Sequence, residues 1–311
     1  MHPVIEVKNL TKHFKEITAV KDLSFTVFKG DVYGFLGQNG AGKSTTIRML
    51  LTLICASEGN IKIFGKELLD ERHEILKNIG AIIERPDLYK FLSAKENLSV
   101  FAKMSGVKVP AKKIMQQLEM VGLADRANSK VKTYSQGMKQ RLGIAIALVH
   151  DPELVILDEP TNGLDPQGIA DMRNLLINLS KNHGKTILVS SHLLNEIEMI
   201  ANRIIIIHKG EKIVEGTADE LLDPAKTVVE LDTVDNEFTK RVLATSQWAP
   251  STQDSVDSTI LVQMDRSRIP LLTDFLVKER VQVISIQPRN SLEDYFLSLT
   301  TERAHVELTS N

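Results

Sequence analysis

A glycine-rich stretch at residues 37–44 restricts most strongly what this chain can fold into. The apolar run before it, residues 32–36, predicts a short buried strand, and residues 45–51 show the apolar face of a helix. A glycine-rich turn between strand and helix directs backbone N–H groups inward, and the helix N-terminus adds partial positive charge. The pattern G-x-x-x-x-G-K-[ST] in this context therefore favours a nucleotide phosphate site over a chance match in a turn.

The residue types in this loop predict a division of roles. Lys43 is expected to reach the β- and γ-phosphates, and the Ser44 hydroxyl is expected to bind Mg²⁺. The predicted nucleotide-binding residues of the loop are Gly37, Asn39, Gly40, Ala41, Gly42, Lys43, Ser44 and Thr45.

Polar side chains also follow two later apolar strands. Asp158 and Glu159 end the run 154–159, and His192 follows the run 186–191. Acids at a strand end are usually only solvated, but beside a phosphate loop we expect Asp158 to hold Mg²⁺, directly or through water, with Glu159 beside the γ-phosphate. A lone histidine is more often structural. However, ligands bind at the carboxyl ends of strands in an α/β core, so His192 is predicted to contact the γ-phosphate.

A second helix start, at Ser135, Gln136 and Gly137, precedes the apolar helix 142–148. Ser135 is explained by N-capping alone, whereas glycine in a first turn costs stability and needs another reason. Together they predict a second phosphate-binding helix N-terminus. Phe14 has two interpretations that its position leaves open, an anchor for the first strands or a flat ring that stacks on adenine.

The order of patterns along the chain predicts an α/β fold in two domains. Residues 1–220 form a nucleotide-binding domain with an antiparallel β-lobe and a helical insertion, whose subdomain covers about 86–150. Residues 221–311 form a small α+β accessory domain. Its predicted strands are 227–231, 260–264 and 281–286, and its predicted helices are 238–244, 269–278 and 292–299.

Bulk properties exclude several classes of protein. The net charge of −2 implies no broad attraction to nucleic acid or anionic lipid. Cys55 is the only cysteine, so no internal disulfide forms, which suits a reducing cytosol. No apolar run approaches the length of a membrane span, so the chain is not expected to enter a membrane by itself.

The motifs together resemble the ATP-binding-cassette (ABC) ATPase subunits over residues 4–220. The matching features, in chain order, are the aromatic Phe14, Walker A at 37–44, the signature at 134–138, Walker B at 154–159, the D-loop at 163–165 and the switch histidine His192.

The resemblance implies that two copies pack head to tail and bind ATP between them. Walker A of one copy would face Ser135 and Gly137 of the other. Glu159 would be the general base and His192 a γ-phosphate ligand, while Asp165 would couple the two sites. The partner would be a separately encoded transmembrane permease, which places the chain at the cytoplasmic face of a bacterial membrane.

Two residues depart from the common pattern. The signature reads Tyr-Ser-Gln-Gly-Met where Leu-Ser-Gly-Gly-Gln is common, but Ser135 and Gly137 are kept. Glu84 replaces the usual glutamine; it keeps an oxygen ligand for Mg²⁺ and adds negative charge beside Asp158. The acidic residue, in Ile-Glu-Arg-Pro at 83–86, resembles ATPases of bacitracin and lantibiotic exporters, as does the stretch 291–296. The alternative is a soluble cassette ATPase of the translation or DNA-repair type.

Overall fold

The computed structural model describes residues 2–221, 227–254 and 259–289. The chain divides into two compact units, residues Met1–Thr217 and Ala218–Asn311, close to the boundary that the sequence places at residue 220. Each unit has a hydrophobic core of its own.

The first unit contains ten strands and seven α-helices within its described residues. The strands are β1 (Pro3–Phe14), β2 (Ile17–Phe28), β3 (Val32–Leu36), β4 (Glu58–Ile63), β5 (Lys66–Glu67), β6 (Ile79–Ile82), β7 (Leu154–Asp158), β8 (Thr186–Ser191), β9 (Arg203–His208) and β10 (Glu211–Thr217). The helices are α1 (Lys43–Leu50), α2 (Arg72–Leu76), α3 (Ala94–Met104), α4 (Ala111–Met120), α5 (Gln136–Ala147), α6 (Pro166–His183) and α7 (Leu194–Glu198).

A six-stranded sheet in the order β10-β9-β3-β8-β7-β6 forms the centre of this unit. β3, β7 and β8 are buried along their whole length, as expected for parallel strands covered on both faces. Because β3, β6, β7, β8 and β9 run parallel, their carboxyl ends meet at one edge. Asp158 is the last residue of β7 at that edge, and the phosphate loop, Glu159 and His192 follow strands there.

The β-lobe is a second sheet, in the order β2-β1-β4-β5. Phe14 is the last residue of β1. Antiparallel pairing continues to His13 opposite Thr18 and Phe14 opposite Ile17. Pairing with β2 stabilises this end of β1, although its polar residues do not show the hydrophobic alternation that is typical of a strand.

The helical insertion is fastened at its start by hydrogen bonds. Ser93 and Glu96 form a capping box at the N-terminus of α3, as the side chain of each accepts the other's backbone N–H. The buried side chain of Asn97 accepts from Tyr89 N–H at 2.9 Å and donates to the carbonyl oxygens of Tyr89 and Ser93 at 3.1 and 2.9 Å. These bonds fix the segment that leads from β6 into the insertion.

The second unit has the βαββαβ order of a ferredoxin-like domain. A short helix, α8, precedes it, and the sheet order is β12-β13-β11-β14, with antiparallel pairs throughout. Its elements are α8 (Ala218–Leu221), β11 (Thr227–Thr233), α9 (Asn236–Ala244), β12 (Thr252–Asp254), β13 (Ile260–Met264), α10 (Ile269–Lys278) and β14 (Val283–Arg289). The helix predicted at 292–299 and the stretch 291–296 lie outside the described residues.

Candidate nucleotide site

The phosphate loop has a backbone that only glycine tolerates at two positions. A side chain at Gly37 would place its Cβ 2.5 Å from the carbonyl oxygen of Ile207. At Gly42, which has a φ of 106°, the Cβ would lie 2.6 Å from the carbonyl oxygen of Ala19. The glycines therefore let the loop turn tightly between β3 and α1, and exposed Gln38, Asn39 and Gly40 form its outer part.

Lys43 is buried inside this loop, with its side chain only 5 % exposed. Its Nζ donates to the carbonyl oxygens of Gly37 at 2.7 Å and Gln38 at 3.3 Å. The same nitrogen lies 3.1 Å from Oε1 of Glu159. A buried ammonium needs such partners, and phosphate oxygens would satisfy it equally well. The loop thus holds a cation in place for an anionic ligand.

Asp158 is 1 % exposed and is bound on one oxygen only. Ser190 donates to its Oδ1 at 2.6 Å, while Oδ2 is buried and has no hydrogen-bond partner among the described residues. A buried carboxylate oxygen without a donor fits a cation, and Mg²⁺ prefers oxygen ligands. The residues present therefore fit the magnesium ion that the sequence predicts.

Ser190 also accepts the backbone N–H of Glu159 at 3.0 Å, so one hydroxyl orients both acids. Local sequence patterns do not identify this residue. The signal lies in the register, because β7 and β8 are neighbours and Asp158 pairs directly with Ser190.

We expect Ser190→Ala to lower the free energy of unfolding by about 1–3 kcal/mol, since it leaves Asp158 Oδ1 and the Glu159 N–H buried without their partner. Urea unfolding followed by far-UV circular dichroism measures the change. Ser99→Ala on α3 removes a hydroxyl that only returns to its own helix, at Lys95 O, and should change the value by less than about 0.5 kcal/mol. Equal losses in both variants would contradict the assigned role.

Glu159 is positioned by two side chains from other elements. Its Oε2 lies 2.7 Å from Nδ1 of His192, and its Oε1 contacts Lys43. The residue has a φ of 50°, an uncommon backbone conformation that turns the chain sharply after β7. The structure thus brings together Lys43, Asp158, Glu159 and His192, which the sequence places far apart.

Glu84, the third predicted metal ligand, has another partner. Its side chain is 65 % exposed, and its Oε1 lies 2.5 Å from Nη2 of Arg48. Among the described residues no three His, Cys, Asp or Glu side chains are grouped to hold a metal ion. Mg²⁺ usually keeps waters and binds one or two carboxylates plus substrate phosphates. Ser44, on the first turn of α1, and Asp158 remain compatible with such a site, and the role of Glu84 stays a prediction.

The signature residues begin α5. Ser135 is its N-cap and accepts the backbone N–H of Met138 at 3.2 Å, and Gln136 is the first helical residue. A Cβ at Gly137 would meet only Leu164, at an ordinary 3.8 Å. Neither backbone strain nor packing among the described residues requires glycine there. The binding of phosphate by Ser135 and Gly137 stays a prediction.

Asp165 lies at a helix start, and Phe14 lies at the surface of the β-lobe. Asp165 is the N-cap of α6 and accepts the Gly168 N–H at 2.9 Å. The Phe14 ring is 45 % exposed, with Lys12 Nζ 4.9 Å from its centroid. An exposed ring contributes little to the core of the β-lobe, which favours the stacking interpretation, and that interpretation stays a prediction.

Comparisons with known proteins agree with this geometry. The family model "ABC transporter" matches residues 20–162. The bacitracin transport ATP-binding protein BcrA of Bacillus licheniformis is 42% identical, over 96% of this chain and 98% of its own length. This chain belongs to the ATP-binding subunits of ABC transporters. The lantibiotic transport ATP-binding protein SrtF of Streptococcus pyogenes is 43% identical to this ABC subunit, over 70% of this chain and 92% of its own.

A solved structure extends the likeness to the fold and the chemistry. The ATP-binding cassette MJ0796, dimeric and bound to ADP and Pi in a post-hydrolysis state, superposes with a TM-score of 0.62 at 28% identity, covering 69% of this chain and 98% of that one. The ABC ATPase fold predicted from the sequence is therefore confirmed. This ABC subunit binds and hydrolyses ATP, and the soluble translation or DNA-repair alternative is not favoured. Within the described residues, no helix is both long and apolar enough to span a membrane.

Proposed function

We propose that this ABC ATPase energises the export of a peptide antibiotic through a separate membrane permease. The observation that carries the proposal is the similarity to BcrA over nearly the whole chain, second unit included. SrtF, a relative with a lantibiotic named as its cargo, supports the same class of substrate. The chain would act at the cytoplasmic face of a bacterial membrane and would not bind nucleic acid.

The complete site would need two copies of the chain. Ser135, Gln136 and Gly137 would meet the phosphates held by the Walker A loop of the second copy, and Asp165 would lie at the contact between copies. The dimeric state of MJ0796 supports this arrangement. The unexplained glycine at position 137, open to its surroundings, supports it independently.

The catalytic step would use the residues at the carboxyl edge of the sheet. Glu159 would accept a proton from the attacking water, and its bond to Nδ1 of His192 would hold it in place. The other ring nitrogen of His192 would contact the γ-phosphate, and it donates there when the imidazole carries both protons. Mg²⁺, held by Ser44 and Asp158, would neutralise charge on the phosphate oxygens. Phe14 would stack on the adenine.

The Lys43 ammonium is shared between the phosphate loop and Oε1 of Glu159. Phosphate oxygens would compete with the glutamate for the ammonium, since both are anions that need the same buried donor. ATP binding would therefore free one oxygen of Glu159, the general base, at the moment when substrate arrives.

We expect Gly137→Ala to weaken the ATP-dependent dimer by about tenfold, because an added methyl in a packed contact typically costs about 1–3 kcal/mol. Folding should be unaffected or stabilised by up to about 1 kcal/mol, since alanine is the better helix residue and has room. Dimer formation is measured by analytical ultracentrifugation with ATP in a Glu159→Gln background. An unchanged dimer constant would remove position 137 from the interface.

Transport itself is tested by expressing the chain with a candidate permease, sought as a six-span membrane protein in the neighbouring reading frames. We expect the two to copurify and to raise the bacitracin concentration that a sensitive host tolerates, with Glu159→Gln abolishing the protection but not the copurification. Protection that survives this substitution would contradict the energising role. Copurification without protection against bacitracin or a lantibiotic would contradict the cargo class only.

A further inference from the structure

The backbone that leads to Glu84 runs beside the strand that carries the acids of the nucleotide site. β6 and β7 are parallel neighbours, and Ile82 pairs with Leu157. Two residues further on, past the ends of the two strands, the chain reaches Glu84 after β6 and Glu159 after β7. Because neighbouring strands lie about 4.8 Å apart, the end of β6 is next to the catalytic edge. Both glutamates have a left-handed φ, 59° and 50°, which turns each chain away from its strand.

The Glu84 turn is tight, and the carboxylate is held by the phosphate-loop helix. Arg85 N–H donates to the Ile83 carbonyl oxygen at 2.7 Å, which closes a three-residue turn around Glu84. From this turn the side chain reaches Arg48, with 2.5 Å between Oε1 and Nη2. The ion pair therefore joins the segment after β6 directly to α1.

Arg48 lies on α1, four residues after Ser44. The two side chains therefore lie on the same face of the helix, roughly 6 Å apart along its axis. Ser44 is the predicted magnesium ligand. The carboxylate of Glu84 is thus tethered one helical turn away from the position that the metal would take.

We propose that Arg48 is a positioning residue that keeps Glu84 out of the magnesium position, so that the Arg48–Glu84 pair sets the Mg²⁺ concentration at which ATP binds. The inference rests on the proposed function, which places Mg²⁺ between Ser44 and Asp158. Arg48 and the cation compete for the same anionic oxygens. The side chains of Arg48 and Glu84 are 41 % and 65 % exposed, so water screens their attraction. The pair therefore raises the Mg²⁺ concentration that is needed and does not prevent Mg²⁺ from binding.

The test is a double-mutant cycle in a Glu159→Gln background, which removes turnover from the readout. Binding of trinitrophenyl-ATP is followed by fluorescence during a Mg²⁺ titration of the parent, Arg48→Gln, Glu84→Gln and the double variant. We expect Arg48→Gln to lower the half-saturating Mg²⁺ concentration by about threefold, the scale of an exposed ion pair. The same substitution should change nothing once Glu84 is replaced by glutamine, and Arg48→Lys should restore most of the parental midpoint.

A matched control and the contrary outcomes make the cycle decisive. Lys62→Gln breaks a similarly exposed pair with Glu67 on the β-lobe and should leave the midpoint unchanged. A shift of equal size with and without the Glu84→Gln substitution would mean a general effect of charge and would overturn the proposal, as would no shift at all. If the parent bound no nucleotide at any Mg²⁺ concentration, the proposed function would fail first and the role of Arg48 with it.

Discussion

Glu159→Gln should reduce ATP turnover by at least about a hundredfold, since a positioned general base contributes about 10²–10⁴ in rate. The amide keeps the shape of the side chain and retains a hydrogen bond to His192. It cannot accept the proton of the attacking water. ATP should still bind, and the nucleotide-bound dimer should accumulate because its release by hydrolysis is blocked. Phosphate release and sedimentation in the presence of ATP measure the two effects.

The matched control for this substitution is Glu67→Gln. Glu67 on β5 pairs with Lys62 on β4 and is a partly exposed residue of the β-lobe, so its amide variant should turn over ATP at the parental rate. If Glu159→Gln turned over within twofold of the parent, Glu159 would not be the base. Loss of nucleotide binding together with turnover would instead indicate that Glu159 supports the phosphate loop through Lys43.

The sequence predicts the residues of the site better than their contacts. Asp158 ends a strand of parallel character, and Lys43, Glu159 and His192 follow such strands. Parallel strands present their carboxyl ends at one edge. Local pattern alone is therefore enough to place these four together. The distances of 2.7–3.1 Å that link Lys43, Glu159 and His192 depend on strand order, which local pattern does not contain.

Ser190 and Arg48 show what such reasoning misses. The role of Ser190 can be recognised only when β8 is known to lie beside β7, because its hydroxyl then faces Asp158. Arg48 carries a weak signal, four residues after Ser44 on one helix face. Its bond to Glu84 depends on the tight turn at positions 83–85, which the sequence pattern does not predict. Side-chain pairs between distant segments belong to the tertiary fold.

Packing explains other differences between pattern and structure. Helix α7 has only five residues, and Ile197 on it packs where a side chain on Gly34 would collide. In the second unit the three-residue strand β12 is too short to show alternation, yet it completes the sheet by pairing with β13. Short elements are formed by their neighbours more than by their own residues.

Lys43→Met should weaken ATP binding by about 10–100-fold. Hydrogen bonds to a charged group are worth about 1.5–3 kcal/mol, and the ammonium is held inside the loop where little water screens it. Methionine fills most of the same space, so the loop should keep its shape. Equilibrium dialysis with radiolabelled ATP measures the affinity, and ADP should lose less affinity because it lacks the γ-phosphate that Lys43 is predicted to reach.

Two comparisons separate this role from a structural one. Lys181→Met removes an exposed charge in the last turn of α6 and should leave ATP affinity unchanged. In the Lys43→Met variant, Glu159 keeps His192 as a partner. The free energy of unfolding in urea should therefore change by much less than the free energy of ATP binding. An affinity for ATP that stays within twofold of the parent, in a variant that folds normally, would show that the ammonium serves Glu159 and the loop carbonyls, not the phosphates.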